Sequence, residues 1–120
     1  MKSGNVVMDK SKRFAVRCVR LYQYLTTEKR EFVLSKQLLR SGTSIGANCR
    51  EAMRAQSRPD FVSKMSIALK EAEETAYWLE LLTETDYLTD SQFQSLHRDA
   101  EELTRLLVSI IKTTKSVYNS

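Results

Sequence analysis

Arginine and lysine side chains recur at helical spacing through the first half of the chain, and their chemistry suggests an anion-binding surface. A guanidinium group presents its N–H donors in a planar fork that matches the oxygens of a phosphate. The two basic rows are Arg13, Arg17 and Arg20, and Lys36, Arg40, Arg50, Arg54 and Arg58. Together they predict a surface that binds the phosphates of RNA or DNA.

The charge distribution is asymmetric, and it leaves two interpretations open. Residues 1–70 contain 15 Lys and Arg against 5 Asp and Glu, whereas residues 71–120 contain 4 against 10. A basic first half could bind a nucleic acid, or it could meet the acidic half of a second subunit. The aromatics interleaved with the rows are Tyr22 and Tyr24, which favours recognition of shape and backbone over base reading.

The residues needed for common catalytic centres are missing or badly spaced. A di-iron centre in a helical bundle needs two Glu-x-x-His pairs, but the single histidine, His97, is preceded at that spacing by Gln94. No Lys-Ser/Thr pair follows Gly42 and Gly46, which excludes a P-loop. We therefore predict a non-enzymatic protein with no catalytic residue, no metal site and no cofactor.

Two cysteines, Cys18 and Cys49, occur at apolar helical positions. They are too few for a disulfide framework, so we expect buried, reduced thiols.

The elements that must position the basic rows are four amphipathic helices with short links. Apolar residues recur at alternating steps of three and four, which predicts an all-α, antiparallel up-down-up-down four-helix bundle. Residues 1–8 are expected to be a flexible leader and residues 9–118 a single bundle domain. The expected helices begin at Asp9 or Ser11, at Thr27, at the Ser57–Asp60 capping box and at the Thr89–Gln92 capping box.

The second helix is expected to extend to Gln56 and to pack closely against a neighbour. Gly42 and Gly46 each cost a helix roughly 1 kcal/mol relative to alanine, which close packing would offset. The alanine stripe of the third helix suits this role. Asn48 lies on the inner face and is expected to make a buried hydrogen bond that fixes helix register.

The third helix carries a mixed apolar and acidic line on its far side. This line, Ile67, Glu71, Glu74, Trp78 and Leu81, predicts a subunit interface. Val16 and Val19 point away from the core and suggest a further contact outside the subunit.

The sequence has no apolar run long enough for a membrane span and no signal-peptide core at its N-terminus. We therefore expect a cytoplasmic protein with no membrane partner.

Residues 37–52, QLLRSGTSIGANCREA, resemble the core motif of a bacterial four-helix-bundle family, the 23S rRNA intervening-sequence proteins, sometimes labelled ribosomal proteins. The family pattern is Gln-Leu-x-Arg-Ser, then Ser-Ile-x-Ala-Asn-Ile-x-Glu-Gly/Ala. Cys49 replaces the usual Ile, and Ala52 stands where Gly is frequent. The likeness covers about residues 12–115.

This resemblance implies an antiparallel four-helix bundle that assembles into a homopentamer. The accessory proteins of diversity-generating retroelements look like more distant relatives, and they are basic pentamers that bind nucleic acid and a reverse transcriptase.

The leading hypothesis is a homo-oligomeric bundle that binds structured RNA or DNA through the basic rows of helices one and two. The alternative is an assembly scaffold or adaptor for a protein partner, without nucleic-acid binding.

Overall fold

Four helices account for nearly all of the chain. The computed structural model describes the backbone of residues 2–119 and the side chains of residues 5–117. The helices are α1 (Lys2–Thr27), α2 (Leu34–Ala52), α3 (Arg58–Glu84) and α4 (Asp90–Asn119). Residues 2–119 contain no strand, and the predicted all-α class is confirmed. None of these helices is long and apolar enough to cross a membrane.

The helices pack as an antiparallel bundle in which each contacts its neighbours in the chain and α1 also contacts α4. Residue numbers rise along one helix as they fall along its partner. Between α1 and α2, Ser11 contacts Gly46 and Cys18 contacts Gly42. Between α1 and α4, Lys10 contacts Glu102 and Arg17 contacts Asp99. Between α2 and α3, Arg40 contacts Glu71 and Glu51 contacts Lys64. The short link 85–89 turns α4 back along α3.

The core is a continuous apolar seam contributed by all four helices. Phe14, Leu38, Met65 and Leu103, one from each helix, are at most 2% exposed. At about 2–3 kcal/mol per large apolar side chain transferred from water, this seam is the main source of stability.

The first helix begins earlier than the sequence predicted. Helix α1 starts at Lys2 instead of Asp9 or Ser11, and Val7 is fully buried in the core. Burial of Val7 outweighs the capping preference of Asp9. The predicted boundary between a leader (1–8) and the domain (9–118) thus falls inside α1, and residue 1 lies outside the described residues.

The predicted link between the first two helices was wrong. Thr27 does not cap α2, because its hydroxyl donates to the Gln23 carbonyl within α1 at 2.7 Å. Instead, the Glu31 carboxylate accepts hydrogen bonds from the backbone N–H groups of Val33, Leu34 and Ser35 at 3.2, 3.0 and 2.7 Å. These are donors that the first turn of a helix cannot satisfy itself.

Both predicted capping sequences start helices, and the Thr89–Gln92 box forms as predicted, whereas the return bond of the first reaches Gln56 instead of Ser57. The Asp60 N–H donates to the Ser57 hydroxyl, and the Asp60 carboxylate accepts from the Gln56 N–H. At the start of α4, Thr89 and Gln92 exchange reciprocal hydrogen bonds of 2.9 and 3.1 Å. Both helices therefore begin within about one residue of their predicted starts.

Helix α1, not α3, makes the closest approach at the glycines of α2. A β-carbon added at Gly42 would lie 2.9 Å from the Cys18 β-carbon and nearer still to its sulfur, whereas the Thr75 methyl group of α3 would lie at 3.8 Å. A β-carbon at Gly46 would meet the Ser11 hydroxyl at a more tolerable 3.3 Å. Gly42 is therefore needed for α1 to pack at this distance.

A buried hydroxyl pair, not Asn48, links α2 to α3. The Thr75 hydroxyl donates to the Ser41 hydroxyl at 2.8 Å, and both residues are fully buried. Asn48 is only half-buried, and its amide donates to the Ser44 carbonyl within α2 at 2.8 Å. Asn48 therefore makes a local, half-buried bond within α2 in place of the expected buried bond that fixes helix register.

Glu31→Gln is expected to lower the free energy of unfolding at pH 7 by about 1 kcal/mol, a typical loss for a weakened cap. Burial raises the pKa of Glu31, but the backbone hydrogen bonds outweigh it and hold the pKa below its ordinary value. The stabilisation is therefore present above the unfolded-chain pKa and is lost as the pH falls through the folded-state pKa.

Denaturant unfolding at pH 7 and pH 3 measures this effect. The difference between wild type and Glu31→Gln should shrink at pH 3, while the exposed Glu28→Gln control should match wild type at pH 7. A Glu31→Gln protein as stable as wild type at pH 7 would contradict the capping role.

Gly42→Ala is expected to destabilise the fold by about 1–3 kcal/mol, the usual cost of overpacking, despite alanine's higher helix propensity. The cost should shrink in a Cys18→Ala background, where the sulfur is gone. Gly46→Ala is the matched control and should change stability by less than about 1 kcal/mol. Equal thermal stability of Gly42→Ala and wild type would refute the close packing.

Candidate nucleic-acid interface

Three of the eight predicted phosphate-binding side chains form ion pairs within the bundle. Arg17 of α1 contacts the Asp99 carboxylate of α4 at 2.7 Å and also donates to the Ser95 hydroxyl at 2.9 Å. Arg40 of α2 contacts both Glu71, at 3.1 Å, and Glu74 of α3. Arg13 pairs with Asp9 one turn earlier on α1 at 3.1 Å. Arg17 and Arg40 thus tie helices together.

The Arg40 cluster is an organised surface network. The Trp78 indole N–H donates to the Glu74 carboxylate at 2.9 Å. This bond and the Arg40 guanidinium hold the pKa of Glu74 below its ordinary value. The hydrogen bond to Glu74 in turn raises the pKa of Arg40. Arg40 is therefore a positioned cation whose charge is already balanced.

Four of the predicted cations form no ion pair with any residue that the structure describes. They are Arg20, Lys36, Arg50 and Arg54, and all four are exposed. We call them the unpaired cations. Lys12 on α1 shares these properties, although it lies outside the two predicted basic rows.

The orientation of α2 separates its paired cation from its unpaired ones. At about 100° per residue, Arg50 emerges about 40° from Gly46, on the side of α2 that faces α1, and Lys36 points outward midway between Arg50 and Arg40. Arg40 emerges on the side that faces the glutamates of α3. The helical wheel placed these residues within one outer arc, but the packing of α1 and α3 divides that arc into two surfaces.

The separation of the unpaired cations fits an extended anion. Lys36 and Arg50 are 14 positions apart, which is about 21 Å along a helix. Over that length, double-stranded DNA carries about twelve phosphate charges. A single phosphate could not reach both side chains, so this surface suits a polyanion.

Two residues of the predicted α2 row do not lie on α2. The helix ends at Ala52, four residues before the predicted end, so Arg54 lies in the loop 53–57 and Arg58 is the first residue of α3. Exposed Met53 begins this loop. Arg50 and Arg54 therefore place unpaired charge at the end of the bundle where α2 turns into α3.

The predicted subunit interface is only partly exposed apolar surface. Ile67 is 41% exposed, whereas Trp78 and Leu81 are half-buried. Glu71 and Glu74 of the same line are engaged by Arg40. Tyr77, 53% exposed, packs edge-to-face against Trp78 and enlarges the apolar area.

The thiols are unsuited to nucleophilic chemistry. Both cysteines are free and buried, as predicted. Burial raises the pKa of Cys18 to about 12, against a small opposing effect of Arg17, and raises the pKa of Cys49 to about 11. Because the thiolate is the reactive form, neither sulfur is a reactive nucleophile at neutral pH.

His97 has partners that the sequence did not suggest. Its imidazole lies 2.7 Å from the Glu101 carboxylate and 3.5 Å from that of Glu80, and its ring stacks on Phe93. This places the histidine in a link between α3 and α4. Within residues 5–117, no group of three or more His, Cys, Asp or Glu side chains, this one included, is arranged to hold a metal ion.

Comparison with known proteins agrees with the fold. The family model described as 23S rRNA-intervening sequence protein matches residues 4–109. A crystal structure of a protein of unknown function from the S23 ribosomal protein family of Bacteroides thetaiotaomicron VPI-5482 shares 62% sequence identity. The match covers 92% of this chain and 98% of that one, with a TM-score of 0.91. A search of curated proteins finds no match.

Proposed function

This chain belongs to the 23S rRNA-intervening sequence protein family, and from that premise we propose that it is a non-enzymatic, cytoplasmic, homo-oligomeric bundle that binds structured RNA or DNA. The observation that supports the proposal is that the basic rows contain both paired and unpaired cations. Arg17 and Arg40 are balanced by carboxylates of the same chain, while the unpaired cations remain exposed.

The unpaired cations would bind phosphates and not base edges. Charge-based contacts of this kind give affinity through release of counterions from the nucleic acid, largely without regard to sequence. Because Lys36 and Arg50 are far apart along α2, their contacts could follow the phosphate backbone of a duplex. Arg17 and Arg40, which form ion pairs within the chain, would orient the helices and would not add to the affinity for nucleic acid.

Assembly into a homo-oligomer is supported by a different surface. Ile67 and Tyr77 of α3 are 41% and 53% exposed, and exposed large apolar side chains are typical of protein interfaces. The alternative function, a scaffold for a protein partner, would use the same surface without any nucleic acid.

Binding of labelled duplex RNA and duplex DNA across a salt series tests the nucleic-acid proposal. Combined substitution of Lys36, Arg50 and Arg54 by glutamine should weaken binding and reduce the slope of log affinity against log salt by about two to three. Arg98, Arg105 and Lys112 of α4 are also exposed and form no ion pair with the described residues. Their substitution by glutamine removes the same charge and serves as the matched control.

Equal losses in the two triple variants would mean that net charge alone attracts the nucleic acid. Absence of binding by the wild type at low salt would exclude the proposal and favour the scaffold function.

Ile67→Glu should reduce the oligomer to smaller species by placing a charge in the proposed apolar interface. Size-exclusion chromatography with light scattering measures the mass, and Ser109→Glu on exposed α4 is the matched control. This substitution is cleaner than one at Trp78, whose indole also bonds Glu74 within the subunit. An unchanged mass would place the interface elsewhere.

A further inference from the structure

The loop between α1 and α2 exposes two large apolar side chains. Phe32 is 55% and Val33 is 71% exposed, and Val33 is the most exposed large hydrophobic residue described. Loops that display such residues on a rigid scaffold commonly carry binding function. Neither side chain belongs to the hydrophobic core cluster or packs against it, so both are available for a contact outside the fold.

The loop is held in one conformation by its own hydrogen bonds. The buried Glu31 carboxylate binds three successive backbone N–H groups, including that of Val33, and the Ser35 hydroxyl donates to the Glu31 carbonyl at 2.7 Å. The Glu31 N–H reaches back to the Leu25 carbonyl at 2.9 Å. Arg30 adopts a positive φ of 54°, which is unfavourable for a side chain of this size. The backbone on both sides of Phe32 is therefore held in place by hydrogen bonds.

Phe32 has one cation against its ring and two more close to it in the sequence. The Arg30 guanidinium carbon lies 5.7 Å from the centre of the Phe32 ring. Lys29 and Lys36 are exposed and form no ion pair with the described residues. The Glu31 carboxylate is turned inward to the amides of α2, which leaves Glu28 as the exposed acid of the loop.

An exposed aromatic ring flanked by cations suits an unpaired nucleotide. Nucleobases stack on aromatic side chains with little dependence on sequence, and neighbouring Lys and Arg side chains bind the phosphates. A base inside a duplex is already stacked on its neighbours, so the ring would discriminate in favour of loops, bulges and ends. An acidic peptide would use the cations but would not need the aromatic ring.

We infer that Phe32 stacks on an unpaired base of the bound RNA or DNA, while Lys29, Arg30 and Lys36 bind the adjacent phosphates. The inference rests on the proposed nucleic-acid binding and adds a preference to it. The unpaired cations, Lys36 included, bind phosphates of either strand form, whereas Phe32 adds a contact that only a single-stranded segment can use.

Fluorescence anisotropy with two labelled probes, a short oligouridine and an RNA duplex of equal phosphate number, tests the inference at low salt. Phe32→Ala should weaken oligouridine binding by about tenfold, a typical loss for one stacking contact, and leave duplex binding unchanged. Val33→Ala is the matched control, because it removes exposed apolar surface from the same loop without removing a ring. Circular dichroism should show that both variants fold.

Phe32→Trp provides a direct readout of stacking. This variant should retain oligouridine affinity, and the probe should quench indole fluorescence beyond the small change that Trp78 gives in the wild type. If Phe32→Ala leaves both oligouridine and duplex affinity unchanged, the inference is overturned and the proposed function still stands. A loop that binds a protein partner would give this result. Failure of the wild type to bind either probe would overturn both.

Discussion

The close contact between Cys18 and Gly42 is the constraint on which the arrangement of the bundle depends. Helix α1 approaches α2 so closely that a β-carbon at residue 42 would lie 2.9 Å from that of Cys18. This fixes the glycine side of α2 against α1, and the Ser41–Thr75 hydrogen bond fixes the adjacent side against α3. The rotation of α2 about its own axis is then set, and with it the direction of every basic side chain that α2 carries.

That rotation determines which cations are available to a ligand. Arg40 meets Glu71 and Glu74 because it emerges towards α3. Arg50 emerges towards α1 and Lys36 points outward between them, and neither forms an ion pair with a described residue. Exposed ion pairs contribute at most about 1 kcal/mol each to stability. The main effect of the Arg17 and Arg40 pairs is therefore to neutralise these two side chains, which makes them less available to a ligand. The protein thus uses some arginines for internal order and leaves others exposed.

Features that depend on local sequence could be predicted, and those that depend on packing could not. The Ser57–Asp60 and Thr89–Gln92 boxes locate two helix starts because each box satisfies its own backbone donors. The turn near Arg30 has no glycine or proline to mark it, and this arginine adopts the left-handed conformation itself. Phe32 was consequently assigned to a helix, and its exposure was missed.

The division of the basic rows into paired and unpaired cations also could not be predicted from helical periodicity. A helical wheel identifies the outer face of one helix, but Arg17 and its partner Asp99 are separated by 82 residues and meet only through the register of α1 against α4. Thr75 offered a usable signal, because a hydroxyl in the alanine stripe of α3 requires a buried partner. Its partner in the structure is the buried Ser41 of α2.

Chemical footprinting of arginine and lysine side chains tests most directly the claim that paired and unpaired cations have different roles. Phenylglyoxal and an acetylating reagent would be applied with and without duplex RNA at low salt, and modification would be read by mass spectrometry. The account predicts that Lys36, Arg50 and Arg54 react readily in the free protein and are protected by RNA, while Arg17 and Arg40 react slowly in both states. Protection centred on Arg98, Arg105 and Lys112, or no protection at all, would contradict it.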